Sequence, residues 1–193
     1  MSFISESQLK NYRRSTKSYS LTLNESLKNF KNESSYYKTK IFLSHKHDEL
    51  EYLEGAIFFL KNLGVDIYVD WQDEGMPRTT SGYTAVRIKQ KISDNHKFIF
   101  LATEGAINSK WCNWELGLGD AAKYIENIAI LPVKNDYSDF SGSEYLEIYP
   151  YIFNLDYSQT YRNLYRRQGT YVVYPHVNGN EKVVPINEWL QRR

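Results

Sequence analysis

Phe98-Ile99-Phe100-Leu101-Ala102, followed shortly by Ser109-Lys110-Trp111-Cys112-Asn113-Trp114-Glu115-Leu116, is the stretch whose reading decides the fold. The first run is apolar throughout and short, so it reads as a strand buried on both faces. Ser109 is a favourable cap for a helix beginning at about Lys110 or Trp111. That start puts Trp111 and Glu115 one turn apart on a shared face, their Cβ atoms about 6 Å from each other. Trp114 points elsewhere, with Leu118, Ala121, Ala122 and Ile125, and reads as the core side of the same helix. An aromatic plate beside a carboxylate suits a ligand with a planar base, hydroxyls or a developing positive charge. The plainer reading is a Glu favoured by the helix dipole between two structural indoles.

Upstream, Lys40-Ile41-Phe42-Leu43-Ser44 is another short apolar run and reads as the first strand of the body. His45 to Glu49 is a polar loop. Leu50, Leu53, Ala56, Ile57, Leu60 and Leu63 then recur at helical spacing until Gly64 ends the helix. Val65 to Asp70 is the second strand. Trp71 to Gly82, with its Gly, Pro, Thr and Ser, is an exposed loop long enough to carry a function. A second helix runs from about Tyr83 through Val86, Ile88 and Ile92, and Lys97 to Ala102 is the third strand. Downstream of the Trp-Glu helix, Ile128 to Val133 is the fourth strand, its Pro132 near the end where a missing donor is tolerated. Alternating strands and helices imply crossover units and a parallel sheet covered on both faces. The expected fold is α/β, flavodoxin-like and three-layered. Its five strands are ordered 2-1-3-4-5, the fifth lying near Tyr149 to Asn154 on the edge. Ligands of such sheets sit beyond the carboxyl ends of the strands where the winding reverses. Ser44 to Glu49, Asp70 to Gly82 and Thr103 to Trp111 all leave those ends and should converge on one crevice.

The flanks carry weaker signals. Residues 1–38 form an expected N-terminal helical extension and linker, with residues 39–193 as the main domain and its C-terminal appendage. In the extension, Leu9, Tyr12, Thr16, Tyr19, Leu23, Leu27 and Phe30 recur at steps of three and four. Ser5 and Gln8 suit a capping box behind Phe3 and Ile4. This predicts a long amphipathic helix, broken near Ser18 to Ser20, that packs on the body or on a second copy. At the other end, Tyr171 to Tyr174 reads as a strand, Asn178-Gly179-Asn180 as a turn, and Pro185 as the opening of a terminal helix through Trp189 and Leu190.

Composition narrows the function classes. The formal net charge of +1 over 193 residues draws the chain neither to nucleic acid nor to anionic lipid. One cysteine excludes an internal disulfide framework, which fits a reducing cytosol. No segment approaches the roughly 18 apolar residues of a membrane span, and no secretory leader is visible, so a cytoplasmic protein is expected. The spacing His45-x-His47 invites a metal, but no third ligand lies nearby, and none is expected. Cys112 sits in a helix N-terminal turn with no His placed to activate it and reads as structural.

Together, Ile41-Phe42-Leu43-Ser44-His45, the strand Val65 to Asp70, the long Gly/Pro loop and Ser109-Lys110-Trp111-Cys112-Asn113-Trp114-Glu115-Leu116 resemble a TIR (Toll/interleukin-1 receptor) domain over about residues 38–155. The resemblance is nearest to the short bacterial TIR proteins of Thoeris-type antiphage defence and to the TIR domains that consume NAD+. It implies a flavodoxin-like fold and cleavage of the nicotinamide–ribose bond, with NAD+ as substrate and no cofactor. The Glu of the family's Trp-Cys-x-x-Glu-Leu segment falls on Glu115 as catalytic residue, and the indole a turn earlier falls on Trp111. Ser44, His45, Lys46, Asp70 and Trp71 are the further expected substrate contacts. For Trp71 a lid, an assembly contact and core packing at the strand end all stay open, and His47 is expected to face solvent or the helix start. Expected partners are other TIR subunits in a homo-oligomer or filament, and a downstream effector reached through a nucleotide messenger. A TIR module that only assembles and makes nothing is the alternative, and fold alone does not separate the two.

The chemistry accounts for these residue types. Nicotinamide leaves as a neutral ring, so the transition state resembles an oxocarbenium ion and needs little acid help. One carboxylate beneath the ribose can hold its hydroxyls and stabilise the charge, unlike the usual glycosidase pair. Stacking of Trp111 on a base would exclude water, which bears on whether ADP-ribose or a cyclic isomer results.

Overall fold

Strand residues alternate between two apolar layers, and that alternation organises the molecule. The computed structural model describes residues 3–15, 38–70, 81–155, 168–175 and 181–191. In chain order it contains β1 (Ile4–Ser5), α1 (Glu6–Ser15), β2 (Lys40–Ser44), α2 (Leu50–Lys61), β3 (Asp66–Tyr68), α3 (Gly82–Asp94) and β4 (Lys97–Ala102). Next come α4 (Glu104–Ile107), α5 (Lys110–Ala122), β5 (Ile128–Lys134), β6 (Tyr151–Leu155), β7 (Gly169–Tyr174), β8 (Lys182–Pro185) and α6 (Ile186–Gln191). Ile41, Leu43, Ile99 and Leu101 face one layer, with Leu9 of α1, Leu53 and Leu60 of α2 and Trp189 of α6. Phe42, Phe98 and Phe100 face the other, with Ile88 and Ile92 of α3 and Cys112 and Leu116 of α5. Successive strand side chains point to opposite faces, so one short run serves both cores.

The sheet order is β3-β2-β4-β5-β6-β7-β8, parallel from β3 to β6. The five expected strands therefore lie in the expected order. The fifth is not an edge, however, because β7 and β8 continue the sheet antiparallel beyond β6. The sheet also gains β1, whose Ile4 and Ser5 pair with Val133 and Lys134 at the end of β5. The sequence hid this extension because β1 is too short to show a period.

The predicted capping box is present. Ser5 donates its backbone N–H to Gln8 Oε1 at 2.8 Å, and Gln8 N–H donates to Ser5 Oγ at 3.2 Å. The described part of the N-terminal helix packs on the body, with Leu9 fully buried against α2. Gly55 makes the close approach feasible: a Cβ there would lie 2.3 Å from the Leu9 carbonyl oxygen. Thr16, Tyr19, Leu23, Leu27, Phe30 and the Ser18–Ser20 break lie outside the described residues, as does the Asn178–Asn180 turn. At the other end, Trp189 is buried and donates its indole N–H to the Glu126 carbonyl at 2.7 Å. Beneath that ring, buried Lys97 donates to Asn127 Oδ1 at 2.6 Å, its ammonium 4.9 Å from the ring centroid. No helix among the described residues is long and apolar enough to cross a membrane.

Candidate active site

β2 lies between β3 and β4, so the chain reverses its winding there, and the segments leaving those three strands meet. They enclose a cavity of about 250 Å³ lined by His45, Lys46, His47, Asp70, Thr84, Ser109, Trp111 and Cys112. Among the described residues, the three expected segments therefore meet through His45 to His47, Asp70, and Ser109 with Trp111. The cavity's volume is below the roughly 300–1,000 Å³ usual for a whole small-molecule ligand, so it has room for only part of a larger one. Trp71 lies outside the described residues.

Ser109 caps α5 by accepting from Cys112 N–H at 3.3 Å, which fixes the first turn and stacks Trp111 above Glu115. The expected shared face is thus formed. The other expectation for this helix fails. Its buried stripe is Cys112, Glu115, Leu116 and Gly119, while Trp114 is 37% exposed and Ala121 and Ala122 are exposed. Gly119 sits on the Phe98 ring, 3.0 Å from where its Cβ would be, so the helix is drawn down on its small-residue side. Trp114 instead leans on Trp111, with ring centroids 4.9 Å apart. Apolar bulk misled the reading because the buried stripe consists of a Cys, a Glu, a Leu and a Gly.

Glu115 is 3% exposed and accepts a hydrogen bond from Ser44 Oγ at 2.6 Å. Burial pushes its carboxyl up to about 8, and the nearby Asp70 carboxylate adds to the rise. The Ser44 hydroxyl, the His47 charge and the neighbouring Trp111 indole pull the other way. The Trp111 N–H is buried and completes no hydrogen bond. Neither Ser44 nor Glu115 lines the cavity, whereas their chain and helix neighbours His45, Trp111 and Cys112 do. A buried acid whose pKa is raised in this way ionises more readily when a cation arrives beside it.

Around this pair the expected contacts take different parts. His45 is buried and lies against the Leu43 carbonyl, Nδ1 to oxygen 3.1 Å. Since a carbonyl only accepts, Nδ1 carries the proton and Nε2 presents a lone pair. Burial lowers the His45 pKa, against the opposing pull of Asp70. His47, expected to face solvent or the helix start, is half exposed, and its ring also binds the buried Asp70, Nε2 to Oδ2 2.8 Å, a hydrogen bond that raises its pKa. Lys46 points outward and pairs with Asp48 at 3.0 Å, still on the rim of the cavity. Cys112 is buried, its thiol pushed up to about 11 by desolvation, and Sγ donates to the His45 carbonyl at 3.2 Å. It holds the loop and is no nucleophile.

Sequence reasoning missed His47, Thr84 and Ser109 as wall residues. The signal for His47 lay in topology, since the residues leaving two adjacent parallel strands emerge side by side, here His45 to His47 beside Asp70. The third ligand type sought beside the two histidines is therefore Asp70, distant in sequence and adjacent in space.

No family model matches the chain. A curated protein of Bacillus cereus (strain MSX-D12), named "Probable 3' cyclic ADP-D-ribose synthase ThsB'", is 34% identical over 163 residues, 79% of this chain and 83% of that protein. A second, "Putative cyclic ADP-D-ribose synthase TIR2" of Cytobacillus dafuensis, is 25% identical over 112 residues, 50% of this chain and 30% of that longer protein. With a parallel sheet of this order and a Trp-Cys-x-x-Glu-Leu helix at its switch point, the chain belongs to the family of Thoeris-type TIR proteins of which ThsB' is a member.

Proposed function

We propose that this protein is an NAD+-cleaving enzyme that breaks the nicotinamide–ribose bond and closes the remaining ADP-ribose into a cyclic isomer. The observation that carries the reading is Glu115, a buried acid on the first turns of α5 beside the crevice, held by Ser44 and roofed by Trp111. The names of the two relatives support the cyclase outcome.

In this account the pyridinium of NAD+ enters beside Trp111, and its positive charge favours the ionised form of Glu115. Nicotinamide departs with the bonding electron pair. The carboxylate stabilises the ribosyl cation, and a ribose hydroxyl or an adenine nitrogen of the same molecule attacks, losing a proton where it carries one. Exclusion of water by the indole steers the cation toward this internal nucleophile. Because Glu115 is buried and does not line the cavity, the ribose reaches it when the Ser44 hydrogen bond opens or the Trp111 ring shifts. Assembly with other TIR subunits supplies that change in our reading, and the cyclic product serves as a messenger to an effector in antiphage defence. His45, Lys46, Asp70 and Trp71 act as nucleotide contacts. The inward turn of Glu115 is the one observation that favours a non-catalytic assembly module.

Incubating the protein with NAD+ across a concentration series and resolving the products by chromatography and mass spectrometry tests the reading. Equimolar nicotinamide and a cyclic ADP-ribose isomer are expected. Linear ADP-ribose as the sole product would refute cyclisation, and intact NAD+ at every concentration, including in assembled protein, would leave the assembly module.

A further inference from the structure

We propose that His45 Nε2, His47 Nε2 and the Asp70 carboxylate form a binding site for a divalent transition metal of the zinc class. Their ligating atoms all lie within 4.8 Å of one another. His47 Nε2 is 2.8 Å and His45 Nε2 is 3.9 Å from the two Asp70 oxygens, and the imidazole rings are 5.3 Å apart, centroid to centroid. Donors around a tetrahedral zinc stand about 3.3 Å apart, given metal–ligand bonds of about 2.0–2.1 Å. Reaching that spacing means opening the 2.8 Å contact and closing the 3.9 Å one, each by about half an ångström, with the half-exposed His47 side chain able to follow.

The decisive feature is His45. Its Nε2 is buried with no hydrogen-bond partner, and the ring itself is 3% exposed. The Leu43 carbonyl holds the proton on Nδ1, so a bare lone pair is aimed at a carboxylate. Asp70 already accepts from His47 Nε2, and a cation held between the three groups would also satisfy the unpartnered His45 Nε2. A carbonyl fixing the far nitrogen is also the usual support of a metal-binding histidine. The Cys112 thiol anchors the His45 carbonyl and keeps the loop in register. Hard cations such as magnesium prefer all-oxygen sets, so two imidazoles and one carboxylate select zinc, cobalt or nickel. Binding replaces the proton shared between His47 and Asp70, which is released to solvent. The fourth position opens toward the cavity and takes water or an anionic oxygen.

The test uses the full chain and needs no NAD+, so it stands or falls separately from the proposed reaction. Titration with Co2+ should give the intense visible band of four-coordinate cobalt, saturating at one ion per chain and abolished by added Zn2+. His47→Ala and Asp70→Asn should each weaken binding on the order of 100-fold while keeping the far-ultraviolet circular dichroism of the wild type. Lys46→Ala should bind normally. Absence of a four-coordinate band in the wild type overturns the proposal. So does equal affinity in folded His47→Ala and Asp70→Asn, which would place the ion elsewhere.

Discussion

At the scale of the residue, Glu115 makes a stability signature as well as a site. Its folded-state pKa, about 8, lies above the ordinary 4.5. Between those values the native state holds a proton the unfolded chain has lost, so stability falls as pH rises through that window and is level on either side. Glu115→Gln keeps the shape and an acceptor for Ser44 and removes the penalty. The variant should equal the wild type in stability near pH 4 and exceed it by a few kcal/mol above about pH 8. Urea denaturation at the two pH values checks this, and identical pH profiles would show that the carboxyl is not desolvated. Ser44→Ala removes a stabilising donor, so the Glu115 pKa should move further upward and any NAD+ cleavage should weaken about tenfold or more at neutral pH. A pH–rate profile reads both effects. The pairing of Trp111 with Glu115 was legible from helical spacing alone. The hydrogen bond from Ser44 was not, because it joins two elements whose adjacency is set by the sheet.

At the scale of the element, the caps and short apolar runs carried their own information. The Ser5–Gln8 box, the Ser109 cap and the strands at residues 40–44 and 97–102 are local in origin and appear where the pattern put them, and the strand expected over 128–133 runs one residue further, to Lys134. What failed was the buried face of α5, which depends on Gly119 meeting Phe98, a contact no periodicity contains. The same physics predicts the outcome of Gly55→Ala. Alanine gains about 1 kcal/mol of helix propensity, but its Cβ would stand 2.3 Å from the Leu9 carbonyl. Overpacking costs about 1–3 kcal/mol, so α1 should lift from α2 and the chain should lose net stability. A stabilised Gly55→Ala would mean that α1 does not rest on α2. Thermal denaturation with hydrogen exchange over residues 6–15 decides between the two.

For the whole molecule, the terminal segments are built into the body of the sheet. β1 pairs with β5, and Trp189 of α6 sits fully buried in the same core layer as Leu9, Ile41 and Leu53. Trp189→Ala should therefore cost about 3–5 kcal/mol and lower the midpoint of one cooperative transition, leaving no separate C-terminal unfolding step. The parallel order β3-β2-β4-β5 places the ends of three strands around one crevice, so the location of the site follows from the topology. The antiparallel β7 and β8 lie away from that reversal, and their pairing partners were not readable from spacing.

The most direct measurement is release of free nicotinamide from NAD+ by assembled wild-type protein beside folded Glu115→Gln at matched concentration. Wild-type release at least about 100-fold faster than the variant is predicted, the size expected when one preorganised charge-stabilising group is removed. Equal rates in the two proteins would contradict the role assigned to Glu115.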